Sequence, residues 1–331
     1  MKLHQDNNLF RQAVRFTSDQ RGIPAIYIEK DYWVTYALFL IFRSELKDEV
    51  VFKGGTALSK CHKMIDRFSE DIDLVVLRKY GETDSRLKAK LKSISNIITK
   101  SLPEIRVEGI TRKKGMNRKT AHTYNKEFAG DYGQVRDVIL LESTWLGYFE
   151  PYSKKMLNSF VGEMMLNSGQ KSIAELLGLL PFEASVLDPT RTICEKIMSL
   201  VRFSYSENPI EDLRKKIRHT YDLHQLLRQE ELSEFFHSTS LDEMLQKVAN
   251  DDVISFKNNN QWLVHHPSEA LIFKGLAGIW EEIKEEYNVG FKNLVYGDFP
   301  KDSDVLHTLK MIHKRLETID WTIKLGDIED G

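Results

Sequence analysis

One segment constrains the fold of this chain more than any other. Lys53-Gly54-Gly55-Thr56 is followed, after an interval the length of a short helix, by Asp71-Ile72-Asp73. The β-branched and aromatic run Val50-Val51-Phe52 ends at the two glycines, which predicts a short strand entering a turn. Thr56 then reads as the cap of a helix over about 57–65. Residues 71–77 (DIDLVVL) predict a second strand. Side chains on a strand alternate faces, so Asp71 and Asp73 point to one side and Ile72 to the other. Ile72 and Leu74-Val75-Val76-Leu77 make that strand largely buried. Two acids there need a reason, because buried charge is costly unless it is paired or bound to metal. The glycines supply one half of that reason. They let the backbone approach a phosphate with no Cβ in the way. Thr56 adds a hydroxyl donor, and a helix N-terminus favours an anion. The aspartates supply the other half, since Mg²⁺ takes oxygen ligands together with substrate phosphates. Two ions can share such a site.

The rest of the chain fills in around this core. Residues 5–20 have the spacing of an amphipathic helix, Arg21-Gly22-Ile23-Pro24 is a break, and 29–43 reads as a buried helix. A helix is expected over 85–101, and strands over 104–111 and 137–144. From about 190 the pattern becomes helical throughout: 190–203, 209–228, 241–249, 270–287 and 305–317. The expected fold is therefore α/β in the first half and all-α in the second. The longest apolar stretch, Trp33–Phe42, is too short to cross a membrane as a helix. The N-terminus has no apolar signal-peptide core, so a soluble, cytoplasmic protein is expected. Lys and Arg total 47 against 49 Asp and Glu, which excludes a uniformly basic nucleic-acid binder but not a local basic patch. With Cys61 and Cys194 as the only cysteines, a disulfide scaffold is excluded. The acidic end of the chain, Ile328-Glu329-Asp330-Gly331, reads as disordered.

With these residues in view, the chain resembles the AbiEii/AbiGii toxin family of nucleotidyltransferases, within the DNA polymerase β-like superfamily. Residues 29–35 (EKDYWVT) are similar to the family's N-terminal signature, and 52–74 to its core motif. Residues 189–196 (PTRTICEK) and 218–223 (RHTYDL) are similar to its third and fourth motifs. The resemblance implies a nucleotidyltransferase domain on a mixed sheet over 1–188. It also implies a helical domain over 189–331 that contributes Lys196 and Asp222 to the site. It further implies the toxin of a bacterial type IV toxin–antitoxin or phage-defence system, neutralised by an antitoxin encoded in an adjacent gene. The implied reaction is Mg²⁺-dependent transfer of a nucleoside monophosphate from an NTP to RNA, in some relatives to the 3′ end of tRNA. By position, Gly54, Gly55 and Thr56, joined by Lys53, Arg67 and Ser69, would hold the nucleotide. Asp71 and Asp73 would bind metal, Lys196 would contact phosphate, and Asp222 is a further acid.

Several residues carry two readings each. Glu142, on the strand 137–144, is a candidate third carboxylate, with Asp137 as its competitor and a surface strand residue as the plain alternative. Lys196 lies in a helix with an apolar face, where a lysine is ordinarily solvated; a phosphate-binding lysine acts as a point charge. Asp222 stands four residues after Arg218, the spacing of a helix ion pair, and can equally orient Lys196. Arg67, Ser69 and Glu70 precede the metal strand, and Arg67 pairs with an acid or contacts phosphate. Glu29, Lys30 and Asp31 read as packing residues. The basic run 111–119 holds Arg112, Lys113, Lys114, Arg118 and Lys119 with no acid, a loop suited to an RNA backbone or simply to solvent. Arg214, Lys215, Lys216 and Arg218 extend such a track. His265 and His266 read as loop residues rather than ligands. Trp145, Tyr148, Phe149 and Tyr152 can stack bases or fill a core. Two rival functions remain at this level: transfer to a protein or small molecule, and a module that binds a nucleotide such as GTP without turnover.

Overall fold

The computed structural model describes residues 1–130, 135–147 and 149–325, with Lys114 described by its backbone. Contacts divide the chain into two compact units, Met1–Trp145 with Pro151–Leu187, and Leu146–Glu150 with Asp188–Gly331. Tyr148 and the acidic tail lie outside the described residues.

The first unit begins with α1 (Asn7–Arg21). Asp6 caps it by accepting the N–H groups of Asn8 and Leu9 at 3.0 Å each. It ends at Gly22, whose φ of 64° is the left-handed conformation a helix C-terminus favours. Next comes α2 (Ala25–Phe42), buried along most of its length, with no charged residue from Tyr32 to Phe42. β1 (Val50–Lys53) runs into α3 (Gly54–Ala57), which opens into a single π-helical turn over Leu58–His62. β2 (Ile72–Val76), α4 (Asp84–Thr99), β3 (Glu104–Ile105), β4 (Arg112–Lys114), β5 (Asn117–His122) and β6 (Ile139–Thr144) follow. The unit closes with β7 (Tyr152–Leu157), α5 (Phe160–Asn167), α6 (Lys171–Leu176) and β8 (Phe182–Leu187).

All eight strands form one sheet in the order β3-β5-β6-β2-β1-β8-β7, with β4 paired to β5. The sheet is mixed: β2–β6 and β1–β8 are parallel and the other pairs antiparallel. α2 and α4 pack against it. Phe52, Ile72, Leu74, Val76, Ile139 and Leu141 are fully buried there. Each such side chain contributes about 1.5–3 kcal/mol through its removal from water.

Several expectations change in the first unit. The basic run 111–119 is not a loop: β4 and β5 form a hairpin across it, turning at Gly115-Met116 with Gly115 at φ 68°. The strand expected over 104–111 shrinks to β3, because Val107 to Thr111 close a turn through their own backbone. Thr56 does not cap the helix. It lies inside α3, and the capping position belongs to Lys53.

The second unit is helical: α7 (Pro189–Ser204), α8 (Pro209–Lys215), α9 (Ile217–Leu227), α10 (Glu230–His237), α11 (Thr239–Ser255), α12 (Leu271–Lys274), α13 (Leu276–Asn288) and α14 (Asp302–Leu316). Asp188 caps α7, with Pro189 in the first turn where its missing N–H costs nothing. The expected helix 209–228 breaks at Lys216, which no glycine or proline marks, and 270–287 breaks at Gly275. Among the described residues no helix is long and apolar enough to cross a membrane.

Candidate active site

Sheet register assembles the centre of the site. Lys53 of β1 stands opposite Asp73 of β2, Asp73 beside Glu142 of β6, and Glu142 opposite Lys119 of β5. Laterally paired residues share a face. The four side chains therefore form one charged row across four adjacent strands, with two carboxylates at the centre and a lysine at each end. Asp71 lies two residues before Asp73, at the entry to β2, and so joins the same face.

The glycines explain the shape of the turn beside this row. Gly54 has φ 81°, and a Cβ there would overlap Asp73 Oδ2. A Cβ on Gly55 would lie 2.5 Å from Arg67 Nη2 and 3.0 Å from Ser69 Oγ. The first glycine makes room for the acid and the second for Arg67, which is fully buried. Arg67 also donates to its neighbour's carbonyl, Phe68 O, at 3.2 Å. Thr56 Oγ1 donates to Asp71 O at 2.6 Å and lies 2.9 Å from Ser69 Oγ. Its hydroxyl thus braces the approach to β2 at Asp71.

The electrostatics follow from crowding. Burial, then the neighbouring charges of Asp71 and Glu142, push the Asp73 carboxyl up to about 7, against the pull of Lys53 and Lys119. Burial also works to raise Glu142. Lys119 at 3.0 Å and Asn117 Nδ2 at 3.0 Å outweigh it, and hold that carboxyl below its ordinary range. Asp71 Oδ1 is enclosed with no hydrogen-bond partner, and Arg136 Nη1 stands 4.0 Å from it. Asp137 lies apart from the row. It is exposed and pairs with Lys126 at 2.6 Å, so Glu142 and not Asp137 accompanies Asp73.

This donor set fits Mg²⁺ better than a metal held by protein alone. Among the described residues no three His, Cys, Asp or Glu side chains form a ready-made cage. Glu142 already accepts from Asn117 and Lys119, whereas Asp71 Oδ1 has no hydrogen-bond partner. One or two carboxylates, completed by water and substrate phosphates, is the usual protein share of a Mg²⁺ site.

Three consecutive charged residues of α2 brace the surroundings, and all three are buried. Glu29 accepts the N–H groups of Glu127 at 2.7 Å and Phe128 at 3.2 Å. Burial lifts its carboxyl to about 7 despite those bonds. Lys30 pairs with Glu70, beside Asp71, and also donates to Arg136 O. Asp31 pairs with Lys60 of the π-helical turn and accepts Phe160 N–H at 2.8 Å.

In the second unit, Lys196 of α7 and Asp222 of α9 form a buried ion pair of 2.7 Å. His219 Nδ1 is 3.5 Å from the lysine. Neither is a solvated helix residue. Arg191 is likewise buried and pairs with Asp251, and with Glu195 at 3.2 Å.

The proposed RNA contacts disperse. Lys113 pairs with Glu104, Arg118 donates to Ser95 of α4 at 2.8 Å, and Lys119 belongs to the charged row. Arg112 is exposed, and the side chain of Lys114 lies outside the described residues. Arg214 and Lys215 are engaged by Glu211 and Asp212 within their own helix. His265 stacks on Tyr205, and His266 bonds Ser268 and Ile319 O. Trp145 is buried, Phe149 half-buried and Tyr152 exposed on β7. Asn117, Arg136 and the membership of Lys119 in the row escaped sequence reasoning. Strand register places the first and last, and no motif marks Arg136.

A mixed sheet with a glycine turn beside paired aspartates is the architecture of a nucleotidyltransferase. The fold is similar to that of MenT4, a nucleotidyltransferase toxin from Mycobacterium tuberculosis H37Rv, at 15% identity and a TM-score of 0.53, over 93% of this chain and 90% of that one. The chain belongs to the AbiEii family of nucleotidyl transferase toxins of type IV toxin–antitoxin systems, whose profile matches residues 36–321. No curated protein matches it.

Proposed function

We propose that this toxin moves a nucleoside monophosphate from an NTP onto RNA, with the 3′ end of tRNA as acceptor and Mg²⁺ as cofactor. The observation that supports this reading best is the row Lys53–Asp73–Glu142–Lys119, with Asp71 beside it and Asp71 Oδ1 lacking a hydrogen-bond partner. Asp71 and Asp73 are the metal ligands. Bound Mg²⁺ would neutralise phosphate charge and favour ionisation of the attacking hydroxyl. The acceptor hydroxyl oxygen bonds to the α-phosphorus in line, the α–β phosphoanhydride breaks, pyrophosphate leaves, and the hydroxyl proton passes to water. Gly54 and Gly55 keep the turn open to the triphosphate. Lys53 supplies positive charge at one end of the row. Lys119 and Asn117 keep Glu142 ionised beside Asp73. Arg67 and Ser69 shape the turn from below. Within the second unit, Asp222 orients Lys196. Most of the rate comes from positioning and charge stabilisation. Arg112 and its hairpin are the RNA-facing element of the first unit.

The test incubates the protein with each α-labelled NTP, Mg²⁺ and total tRNA, beside an Asp71→Ala/Asp73→Ala variant. Label on RNA with the wild type alone is the expected result. Label on protein or on a small molecule would move the acceptor, and saturable NTP binding without pyrophosphate would favour a binding module.

A further inference from the structure

We propose that Arg136 grips the triphosphate of the incoming nucleotide, and that the buried Lys30–Glu70 pair exists to aim it. The inference rests on the nucleotidyl-transfer reading above.

The starting point is an unusual use of buried charge. Lys30 and Glu70 are almost entirely removed from water, with side-chain exposures of 0% and 4%. Such a pair is costly unless its remaining bonds are well used. Both partners direct those bonds to the same residue. Glu70 accepts the Arg136 N–H with Oε1 at 3.0 Å and Oε2 at 3.1 Å. Lys30 donates to the Arg136 carbonyl. The backbone of Arg136 is therefore held from both sides by charged groups in the interior, just ahead of β6.

The side chain so anchored is not itself packed away. It is 45% exposed, and its Nη1 stands 3.6 Å from Glu70 Oε1 and 4.0 Å from Asp71 Oδ1. Both separations exceed hydrogen-bond range. A structural ion pair in this place would close to about 2.7–2.9 Å. The carboxylates hold the guanidinium in long ion pairs, with no side-chain hydrogen bond to it. The anchoring thus fixes where the side chain starts and leaves its donors available at the edge of the aspartate pair.

The ligand follows from chemistry. A guanidinium presents a planar fork of donors that matches two phosphate oxygens and stays charged at every working pH. Facing it across 4.0 Å is Asp71 Oδ1, an acceptor with no hydrogen-bond partner. Phosphate oxygens on the arginine side, with the carboxylate serving the cation, satisfy both groups at once. Lys30 and Glu70 are positioning residues in this arrangement, because they act through Arg136.

The test compares wild type, Arg136→Gln, Arg136→Lys and an Asp73→Asn control as full chains. Three quantities are read: binding of inorganic tripolyphosphate with Mg²⁺, the KM and kcat for each NTP with tRNA, and thermal stability without ligand. Expected for Arg136→Gln is unchanged stability, tripolyphosphate binding weakened about tenfold to a hundredfold, and a raised KM. Arg136→Lys recovers part of the binding, as charge without the fork should. Arg136→Gln binding tripolyphosphate as tightly as wild type, with Asp73→Asn inactive, would overturn the role of Arg136 and leave the transfer reading intact. Loss of binding only in step with a loss of stability would overturn it as well. Folded wild-type protein that neither binds tripolyphosphate nor transfers a nucleotide would overturn both.

Discussion

Replacing Gly54 with alanine separates two demands that one glycine meets. Its φ of 81° costs an L-residue about 1–2 kcal/mol. The same backbone strain can be measured elsewhere in the unit: Gly22 has φ 64°, and a Cβ there meets nothing within 4 Å. Gly22→Ala is therefore the strain-only control. Both variants should lose on the order of 2–8 °C in Tm. They should differ in activity. At Gly54 the new methyl overlaps Asp73 Oδ2, and the carboxylate must retreat by about 1 Å to reach ordinary contact. Aspartate is short, so it yields by rotating, which limits the extra stability cost. A catalytic group displaced by about 1 Å costs on the order of a hundredfold in rate. The assay pairs thermal unfolding with pyrophosphate release from NTP and tRNA. Gly54→Ala should fall about a hundredfold in kcat while Gly22→Ala keeps wild-type turnover. Equal activity in the two variants would refute the argument, and so would a collapse of Gly54→Ala far below Gly22→Ala in stability.

Asp73→Asn removes a carboxylate crowded by Asp71 and Glu142. Nucleotide transfer should fall by at least about a hundredfold while Tm holds or rises, the stability–activity opposition expected where like charges are gathered for function. A lowered Tm would show that the row is stabilising as it stands. Asp222→Ala strands Lys196 in the interior and should cost about 3–5 kcal/mol in urea unfolding, whereas Asp222→Ala/Lys196→Met should recover most of it; additive losses would contradict the pairing. Glu29 gives a pH signature. Its carboxyl titrates near 7 in the folded chain against 4.5 ordinarily, so its stabilising contribution is complete below 4.5 and is lost as pH rises through 7. The Tm of Glu29→Gln relative to wild type should therefore climb between those values, and a flat difference would exclude the effect.

The strand–turn–strand core could be read directly from the residues, because period-two alternation and a glycine pair are local signals. The same holds for the burial of α2, whose apolar run leaves no face for solvent. The hairpin of β4 and β5 could not. Its first strand is Arg-Lys-Lys, with none of the branched or aromatic residues that announce a strand, and the hairpin is placed by the pairing of β5 with β6. β7 hides for a related reason: as an exposed edge strand, Tyr152–Leu157 shows no apolar face. In the site, Asp71 and Asp73 share a face by arithmetic alone. Glu142 and Lys119 join them through register, which depends on chain segments far apart in sequence. Arg136 is placed by partners 66 and 106 residues away, beyond any local pattern.

The three adjacent charges of α2 carry a consequence for anyone reading tolerance to mutation in this chain. Glu29 tethers the segment at 127–128, Lys30 the approach to β6, and Asp31 the turn at Lys60. Because consecutive helix positions point about 100° apart, one helix serves as the hub of three spokes. An insertion or deletion of a single residue ahead of Glu29 would turn the hub and detach every spoke together. In a saturation screen for loss of toxicity, these positions should therefore score as severely as Asp71 and Asp73, though all three side chains are engaged in tethering the fold. Intolerance at residues 29–31 would then mark the axle on which the site is mounted, and separating axle from blade would require variants judged by folding as well as by killing.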